Sequence, residues 1–343
     1  MILENLKALP KTDPTNLICL RDSIYATDLL ITAIGKFDFF TWLDANPSDF
    51  NYIVNHFQIN SRPTDVMLTY FKSLGLIEEE NNVYRVTDLS KEHLTAHSNW
   101  SLVPYFSTQV ERPIVEKLVN VLITGEPESW AAKKNESDWA KAMEREDFAE
   151  MFIAGMDSRG AYLAPGLANS FNFSPYHSII DIAGASGIYI AAIKAKYNTI
   201  RGALFEKPPV DRIARQGLKR RNLENTIEVF AGDMFSDYIP KGFDIHLFSH
   251  VLHDWNMEQN RILVKNSYQS LNRSGVIMIH DAHLNDNKTG PLSVAEYSIL
   301  LMFSTYGKCY SFPEIKSLLE EEGFTGVAFQ KTLSNRSIIT GKK

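Results

Sequence analysis

Two histidines and an acid follow one apolar segment of this chain, at a place where side chains often carry out chemistry. The segment FDIHLF, residues 243–248, is typical of a buried strand, and His250, His253 and Asp254 come directly after it. In a parallel α/β sheet the carboxyl ends of the strands open onto the ligand crevice. The position predicts a catalytic base at His250 or His253, with polar loop filling as the alternative for each.

A glycine-containing turn, IIDIAGASGIYIAAI, lies earlier in the chain and carries Gly184 and Gly187. Glycines at a strand-to-helix junction let a ligand approach the backbone and leave N–H groups of the helix N-terminus available. The turn does not match the dinucleotide motif G-x-G-x-x-G, because its later positions fall on Ser186 and Tyr189. By itself it fits a ligand-binding loop and an ordinary tight turn equally well.

Two further strand ends also offer polar groups. Glu206 closes the strand in LFEKPPV, and Asp233 and Met234 follow the next strand in AGDMF. An acid at the end of the second strand can hold a ribose diol through two hydrogen bonds, although a surface glutamate is the alternative for this residue taken singly. Three successive strand ends with polar groups, and one apolar side chain to flank a base, favour an adenosine-containing ligand.

The elements that must position these residues alternate regularly from Ser178 onward. Apolar strand segments run from SIIDIA to GVIMIHD, with helical segments between them. This alternation predicts a mostly parallel sheet covered by helices on both faces. TGVAFQKT and SIITG then form a closing pair, so we predict an α/β domain whose sheet ends in an antiparallel hairpin.

The N-terminal part has a different pattern. Apolar residues at helical spacing predict helices up to about residue 94, and residues 61–90 read as helix, Gly75, strand, Asn81-Asn82 turn and second strand. This is the layout of a winged helix, which taken alone could read DNA. We predict a helical winged-helix domain at 1–100, a helical linker and substrate-pocket region at 101–172, and a catalytic domain at 173–343.

Composition narrows the classes of partner. The 343 residues carry a net charge of −6 and no long basic block, which argues against a nucleic-acid binder, and the run 219–221 is interpreted as a solvated helix end. Cys19 and Cys309 are too few for a zinc cluster and suggest no disulfide framework, which fits a reducing cytoplasm. The sequence shows no signal peptide and no apolar stretch of the roughly 18 residues that a membrane span needs.

The quoted motifs together resemble the S-adenosylmethionine-dependent O-methyltransferases of the plant caffeate type and their bacterial natural-product relatives. DIAGASG, LFEKPPV, AGDMF, HVLHDW and GKCYSFPEI carry the resemblance, which covers nearly the whole chain. It implies a Rossmann-like class I methyltransferase domain, preceded by an α-helical winged-helix dimerisation domain. It also implies S-adenosylmethionine as cofactor, with S-adenosylhomocysteine as product.

The resemblance also implies the residues that bind the cofactor. The glycine loop and its flanking acid hold the amino-acid end, an acid holds the ribose, and three further residues lie on the adenine side. The residues at the amino-acid end are Asp181, Ala183, Gly184 and Gly187. The ribose acid is Glu206, and the residues on the adenine side are Asp233, Met234 and Ser249. Alanines 183 and 185 stand where relatives often have glycine, and Ser249 replaces a lysine common in plant members.

Substrate-binding residues follow from the same resemblance. They lie on the helix before the glycine loop and in the late insertion, and comprise Phe152, Met156, Arg159, Ile299, Leu300, Met302 and Phe303. Met and Phe can sandwich a flat aromatic ring, while a methionine-rich core is the alternative for the late group. Arg159 stands where plant members often have histidine; a cation there can pair with a carboxylate or an acidic phenol, or cap the domain surface.

For catalysis, the resemblance places the general base at His253, since His250 falls on a position usually aromatic or apolar. Asp281, at the end of the strand in MIHDAH, is expected to orient the base, and the family's late glutamate falls on Cys309. No metal is implied, because the sequence shows no cluster of ligands at metal-binding spacing and a sulfonium needs no Lewis acid.

We therefore predict a cytoplasmic homodimer that methylates a hydroxyl of a small aromatic metabolite, of phenolic, polyketide or phenylpropanoid type. The dimer would form through the N-terminal domain, using Ile18, Leu20, Ile24, Leu29, Leu30 and Ile34. Neither nucleic acid nor membrane is expected as a partner. Two alternatives stay open: a relative with altered chemistry, such as C- or N-methylation, decarboxylation or hydroxylation, and a ligand-sensing winged-helix regulator.

Overall fold

The computed structural model describes residues 3–128 and 142–343. The chain divides into two compact units: unit 1 is Met1–Ile18, Asp138–His283 and Tyr310–Lys343, and unit 2 is Cys19–Ser137 and Leu284–Cys309. Part of the predicted helical region 101–172 falls outside the described residues.

Helices and strands are numbered in chain order. The helices are α1 Thr15–Asp22, α2 Ala26–Gly35, α3 Phe39–Ala45, α4 Phe50–Phe57, α5 Ser61–Ser73, α6 Asp88–His93, α7 Val103–Ser107, α8 Pro113–Thr124, α9 Glu146–Ser170, α10 Ile188–Lys196, α11 Val210–Arg220, α12 Met257–Ser270, α13 Leu292–Ser304 and α14 Phe312–Glu321. The strands are β1 Ile77–Glu80, β2 Val83–Val86, β3 Ser178–Ile182, β4 Arg201–Glu206, β5 Ile227–Ala231, β6 Ile245–Ser249, β7 Val276–Asp281, β8 Thr325–Lys331 and β9 Ser337–Lys342. Short 3₁₀ turns occupy Leu3–Leu6 and Leu252–Asp254.

Unit 2 contains the predicted winged helix. Helix α5 is followed by the antiparallel pair β1 and β2, with Glu80 opposite Val83. Asn81 and Asn82 between them have φ angles of 51° and 63°, the left-handed conformation that a two-residue hairpin turn requires and that asparagine tolerates. The guanidinium of Arg62 at the start of α5 donates to the carbonyl oxygens of Gly125, Met302, Thr305 and Gly307, which joins the two chain segments of unit 2.

Unit 1 is built on a seven-stranded sheet with the order β5-β4-β3-β6-β7-β9-β8 among the described residues. Strands β3 to β7 pair in parallel, and β9 pairs antiparallel with both β7 and β8. The fold predicted from the sequence is confirmed, including the terminal antiparallel hairpin. Because the chain proceeds outward from β3 in one direction and from β6 in the other, a crevice opens between their carboxyl ends.

The apolar residues predicted to form the dimer surface divide into three groups, of which the first, Ile18 and Leu30, is partly buried. Leu20 and Ile24 are exposed, at 68% and 52%, whereas Leu29 and Ile34 are buried within the chain itself. The prediction is therefore wrong for Leu29 and Ile34, because helix α2 uses them for its own packing. No helix among the described residues combines the length and the apolar character that crossing a membrane requires.

Candidate active site

The glycine loop lies between the end of β3 and the start of α10. Its backbone is left-handed at Ala183, Ala185 and Gly187, with φ angles of 55°, 51° and 74°. A side chain at Gly184 would place its Cβ 2.5 Å from the carboxyl carbon of Asp181, so glycine is required there. An alanine in this conformation costs about 1 kcal/mol or more relative to glycine, so two residues of the loop are held under strain.

Asp181 is fully buried beneath this loop. Neither carboxylate oxygen accepts a hydrogen bond from any side chain or backbone group of residues 3–128 and 142–343. Burial, followed by the negative charge of Glu206, raises the pKa of Asp181 to about 8. A buried carboxyl group that lacks hydrogen-bond donors fits a ligand that brings its own, as the amino-acid end of S-adenosylmethionine does.

Glu206 closes β4 beside the loop. One carboxylate oxygen accepts the N–H of Ala185 at 2.9 Å and the other accepts the N–H of Lys207 at 2.8 Å. Each oxygen retains a second lone pair, which suits the two hydroxyls of a ribose. Burial raises the pKa of Glu206 to about 7.

The next strand end carries the residues expected on the adenine side. Asp233 accepts the N–H of Phe235 at 2.9 Å and lies 3.4 Å from the ammonium of Lys207. Met234 is partly buried against the sheet. The residues present on these three strand ends fit the cofactor, and their individual roles remain predictions.

Ser249, also predicted on the adenine side, hydrogen-bonds instead within the sheet. Its hydroxyl lies 2.9 Å from Nδ1 of His280, and both residues are buried. A contact of Ser249 with the cofactor stays a prediction.

His253 and Asp281 meet at the carboxyl ends of the neighbouring strands β6 and β7. Nδ1 of His253 lies 2.6 Å from Oδ1 of Asp281, and the same oxygen accepts the N–H of Ala282 at 2.7 Å. Both side chains are buried, with 5% of each exposed. Although 28 residues separate them in the sequence, parallel pairing of the two strands places them together.

The charges of this pair control its protonation. Burial lowers the pKa of His253, but Asp281 and then Asp254 outweigh it, so the pKa of His253 lies above its usual 6.5. Burial raises the pKa of Asp281, but His253 and His250 reverse this and hold it well below 3.8. A negative Asp281 accepts the Nδ1 proton of a neutral His253, which leaves Nε2 as the atom that can take a proton.

His250 lies beside this pair in an unusual conformation. Its φ angle is 58°, and its ring centroid lies 5.6 Å from that of His253 and 5.8 Å from that of Tyr189. Nδ1 is 3.6 Å from Oδ1 of Asp281, too long for a hydrogen bond, and neither ring nitrogen has a hydrogen-bond partner within the described residues. Burial lowers the pKa of His250 well below 6.5, so its imidazole is neutral.

His250, His253 and Asp281 also bring three potential metal ligands within 4.8 Å of one another. Spacing along the sequence did not indicate this cluster, because its members come from two strand ends. The positive charge of Arg159 lowers the pKa of both histidines.

Phe152, Met156 and Arg159 lie on helix α9 at spacings of four and three residues, and all three are partly buried. This spacing places them on one face of the helix. The following residue, Gly160, allows close packing, because a Cβ there would lie 2.8 Å from Cγ2 of Ile188. Phe152 and Ala185 of the glycine loop pack against the same apolar cluster.

The late group of predicted substrate residues belongs to unit 2. Ile299, Leu300, Met302 and Phe303 are buried on helix α13, and the ring of Phe303 lies 4.3 Å from that of Tyr25. This packing within unit 2 agrees with the core alternative, and their contact with substrate stays a prediction. Cys309, at the position of the family's late glutamate, is buried and its N–H donates to Ser298.

One ion pair of a buried arginine was missed by sequence reasoning. Arg221 donates to Asp157 at 2.9 Å and to the carbonyl oxygen of Ser186 at 3.0 Å, and the Ser186 hydroxyl donates to Asp157. The interpretation of the run 219–221 as solvated is wrong for Arg221, which is 3% exposed. The pair connects helix α9 with the glycine loop.

Comparison with known proteins identifies the family. The profile of the O-methyltransferase domain matches residues 116–325. The chain belongs to the O-methyltransferase family. It is an enzyme, and its methyl donor is S-adenosylmethionine, as the sequence motifs predicted.

Individual relatives extend the similarity over nearly the whole chain. A 3-hydroxy-5-methyl-1-naphthoate 3-O-methyltransferase of Streptomyces sahachiroi is 26% identical, over 92% of this chain and 90% of its own. The tetracenomycin polyketide synthesis 8-O-methyl transferase TcmO of Streptomyces glaucescens is 23% identical, over 96% and 97%. A family 2 O-methyltransferase of Planctomyces limnophilus, solved in complex with apigenin, is 28% identical with a TM-score of 0.90 and full coverage of both chains.

Proposed function

We propose that this methyltransferase acts on a hydroxyl of a small aromatic metabolite, with His253 as general base and Asp281 as the residue that orients it. The observation that carries the proposal is the 2.6 Å contact between these side chains at the mouth of the crevice. The similarity to enzymes named for a hydroxynaphthoate and a polyketide, and to one solved with apigenin, supports a flat aromatic acceptor.

In the proposed mechanism the base acts as the new bond forms. A phenol with a pKa near about 10 is mostly protonated at neutral pH, so its oxygen attacks faster when its proton is removed. Nε2 of His253 takes this proton, and the negative Asp281 stabilises the resulting imidazolium through Nδ1. S-adenosylmethionine, when bound, supplies the electrophilic methyl group on its sulfonium.

Cofactor binding in this proposal uses the three strand ends. Glu206 accepts hydrogen bonds from the ribose hydroxyls, Asp233 and Met234 flank the adenine, and Asp181 with the glycine loop holds the amino-acid end. Because residues on rigid strand ends keep their places, they align the donor with the acceptor oxygen. This positioning accounts for the part of the rate that survives loss of the base.

Product analysis tests the function directly. The parent protein, S-adenosylmethionine and a panel of phenols, anilines and non-aromatic alcohols would be incubated, and products identified by mass spectrometry. We expect methyl ethers of phenols, and at least about a 10²-fold lower turnover for His253→Ala at neutral pH. Methylation on nitrogen or carbon alone would refute the assignment, and near-parental turnover of His253→Ala would exclude the base.

We also propose a homodimer that forms through the N-terminal domain, and a cytoplasmic enzyme of secondary metabolism. Leu17, Leu20 and Ile24 support the dimer, since they are 71%, 68% and 52% exposed at the start of that domain. A monomer at micromolar concentration in light scattering would contradict the dimer. We also propose that the domain boundaries lie at residues 100 and 172, as predicted from the sequence.

A further inference from the structure

A single 3₁₀ turn, Leu252–Asp254, carries His253. One of its backbone hydrogen bonds runs from the N–H of Trp255 to the carbonyl oxygen of Leu252, at 3.2 Å. Hydrogen bonds of this kind have poorer geometry than those of an α-helix, so a short 3₁₀ turn holds its shape weakly by itself. A general base needs a more precise position, because a displacement of about 1 Å can lower a rate by about 10²-fold.

The side-chain amide of Asn260 joins the two ends of this turn. Asn260 is the fourth residue of helix α12, and it is fully buried. Its Nδ2 donates to the carbonyl oxygen of Leu252 at 2.9 Å and to that of Trp255 at 3.1 Å. These carbonyls lie one residue before His253 and two residues after it. Because an amide nitrogen carries two hydrogens, one side chain can bond to both sides of the base.

The other polar atom of Asn260 shows that asparagine is costly at this position. Its Oδ1 is buried and accepts no hydrogen bond from residues 3–128 and 142–343. A buried acceptor without a donor destabilises the folded chain, and an apolar side chain would avoid that cost. The two donated bonds are therefore what asparagine contributes here.

Tyr310 reinforces the same turn from another part of unit 1. Its hydroxyl donates to the carbonyl oxygen of Trp255 at 2.6 Å, and the residue is 5% exposed. Tyr310 directly precedes the capping box of helix α14, which Ser311 and Glu314 form. Donors from two separate elements thus meet at one carbonyl oxygen of the turn.

Asp281 and Asn260 hold different parts of the base. Oδ1 of Asp281 lies 2.6 Å from Nδ1 of His253, which fixes the imidazole ring. Asn260 fixes the backbone on both sides of the same residue. Together these contacts direct Nε2 toward one place, as proton transfer to a positioned base requires.

We propose that Asn260 is a positioning residue for the general base, and that Tyr310 supports it. Asn260 acts through the backbone of the turn and touches neither the acceptor nor the cofactor. This inference rests on the proposed function, since it takes His253 as the base.

Asn260→Leu keeps a branched side chain and removes the donor. With an unactivated phenol at neutral pH, we expect it to lower kcat by about 10-fold or more. The affinity for S-adenosylhomocysteine in calorimetry should stay within about 2-fold of the parent, because the proposed cofactor residues lie on other strand ends. Asn272→Leu is the matched control, since Asn272 donates to Asp244 at 2.9 Å, just before strand β6 rather than after it. The control should keep kcat within about 2-fold.

Combination with His253→Ala separates positioning from general damage. If Asn260 acts through the base, adding Asn260→Leu to His253→Ala should change the residual turnover by less than about 2-fold. Methyl-labelled S-adenosylmethionine makes this slow reaction measurable. Tyr310→Phe removes a single hydroxyl and should lower kcat by about 3-fold, again only while His253 is present. It provides the test if circular dichroism shows that Asn260→Leu does not fold.

Two results would overturn the positioning role. One is parental kcat in Asn260→Leu, or in Tyr310→Phe if the leucine variant does not fold. The other is an equal fold-loss of turnover with and without His253. Near-parental turnover of His253→Ala alone would refute the proposed base instead, so the two failures are distinguished.

Discussion

Replacement of Asp281 by asparagine tests the proposed base and its partner together. The substitution keeps the shape of a side chain whose oxygen lies 2.6 Å from Nδ1 of His253, but removes its charge. As the reaction proceeds, the imidazole becomes an imidazolium, so the lost interaction is stronger in the transition state than in the ground state. The difference between a charge-assisted and a neutral hydrogen bond is about 1–2 kcal/mol, and turnover should fall by about 5- to 30-fold.

The pH profile of Asp281→Asn gives the more specific result. His253 must be neutral to accept a proton, so kcat/KM is lost as the pH falls through the pKa of His253. Burial lowers that pKa and Asp281 raises it, with a net position above 6.5. Removing the charge of Asp281 lets burial dominate, so the acidic limb should move to lower pH even though turnover is reduced.

Steady-state kinetics between pH 5 and 10 with an unactivated phenol would measure both effects. Asp88→Asn, at an exposed carboxylate of unit 2, is the charge-matched control and should leave the profile unchanged. High pH should partly rescue Asp281→Asn and His253→Ala, because the phenol then ionises without help. If Asp281→Asn had reduced turnover but the acidic limb of its pH profile did not move, the substitution would only have damaged the structure. That result would refute the proposal that Asp281 raises the pKa of His253.

Three further predictions concern the cofactor site, and a fourth concerns the turn after helix α5. Glu206→Ala should weaken S-adenosylhomocysteine binding in calorimetry by about 10-fold or more, and unchanged affinity in the variant would contradict the ribose assignment. The affinity of the parent should decrease as the pH is lowered below 7, because the pKa of Glu206 is raised to about 7 and the carboxylate is the form that accepts both ribose hydrogen bonds. Arg221→Met should raise KM for S-adenosylmethionine more than it lowers kcat, with Arg221→Lys restoring part of the loss, since the buried arginine holds the glycine loop at Ser186. Ala185→Gly should raise the free energy of unfolding in urea by about 0.5–1 kcal/mol by relieving its left-handed strain, and Gly75→Ala, with φ of +68° and open space around it, should lower that free energy by about 1 kcal/mol.

The order of the elements could be predicted from the sequence because apolar patterning is a local property. The segments SIIDIA and TGVAFQKT were predicted to be strands, and they contain strands β3 and β8. The meeting of His253 and Asp281 also followed, since His253 lies just after one strand of a parallel sheet, Asp281 ends the next, and such strand ends share one edge. The winged helix could be predicted from the Asn81-Asn82 turn and the segments beside it, because a hairpin turn is also a local feature of the sequence.

Tertiary packing alone decided the features that depend on neighbours distant in sequence. Leu29 and Leu20 look alike as apolar helix residues, yet one is buried and the other exposed, because burial depends on which helices pack beside them. In the sequence Arg221 is the last residue of a basic run, but in the structure its guanidinium donates hydrogen bonds to Asp157 and Ser186. His250 could be placed near the base from the sequence. Its left-handed backbone, and the absence of a hydrogen-bond partner for its ring among residues 3–128 and 142–343, are properties of the packed site, because neither local propensity nor spacing fixes which groups face a buried ring.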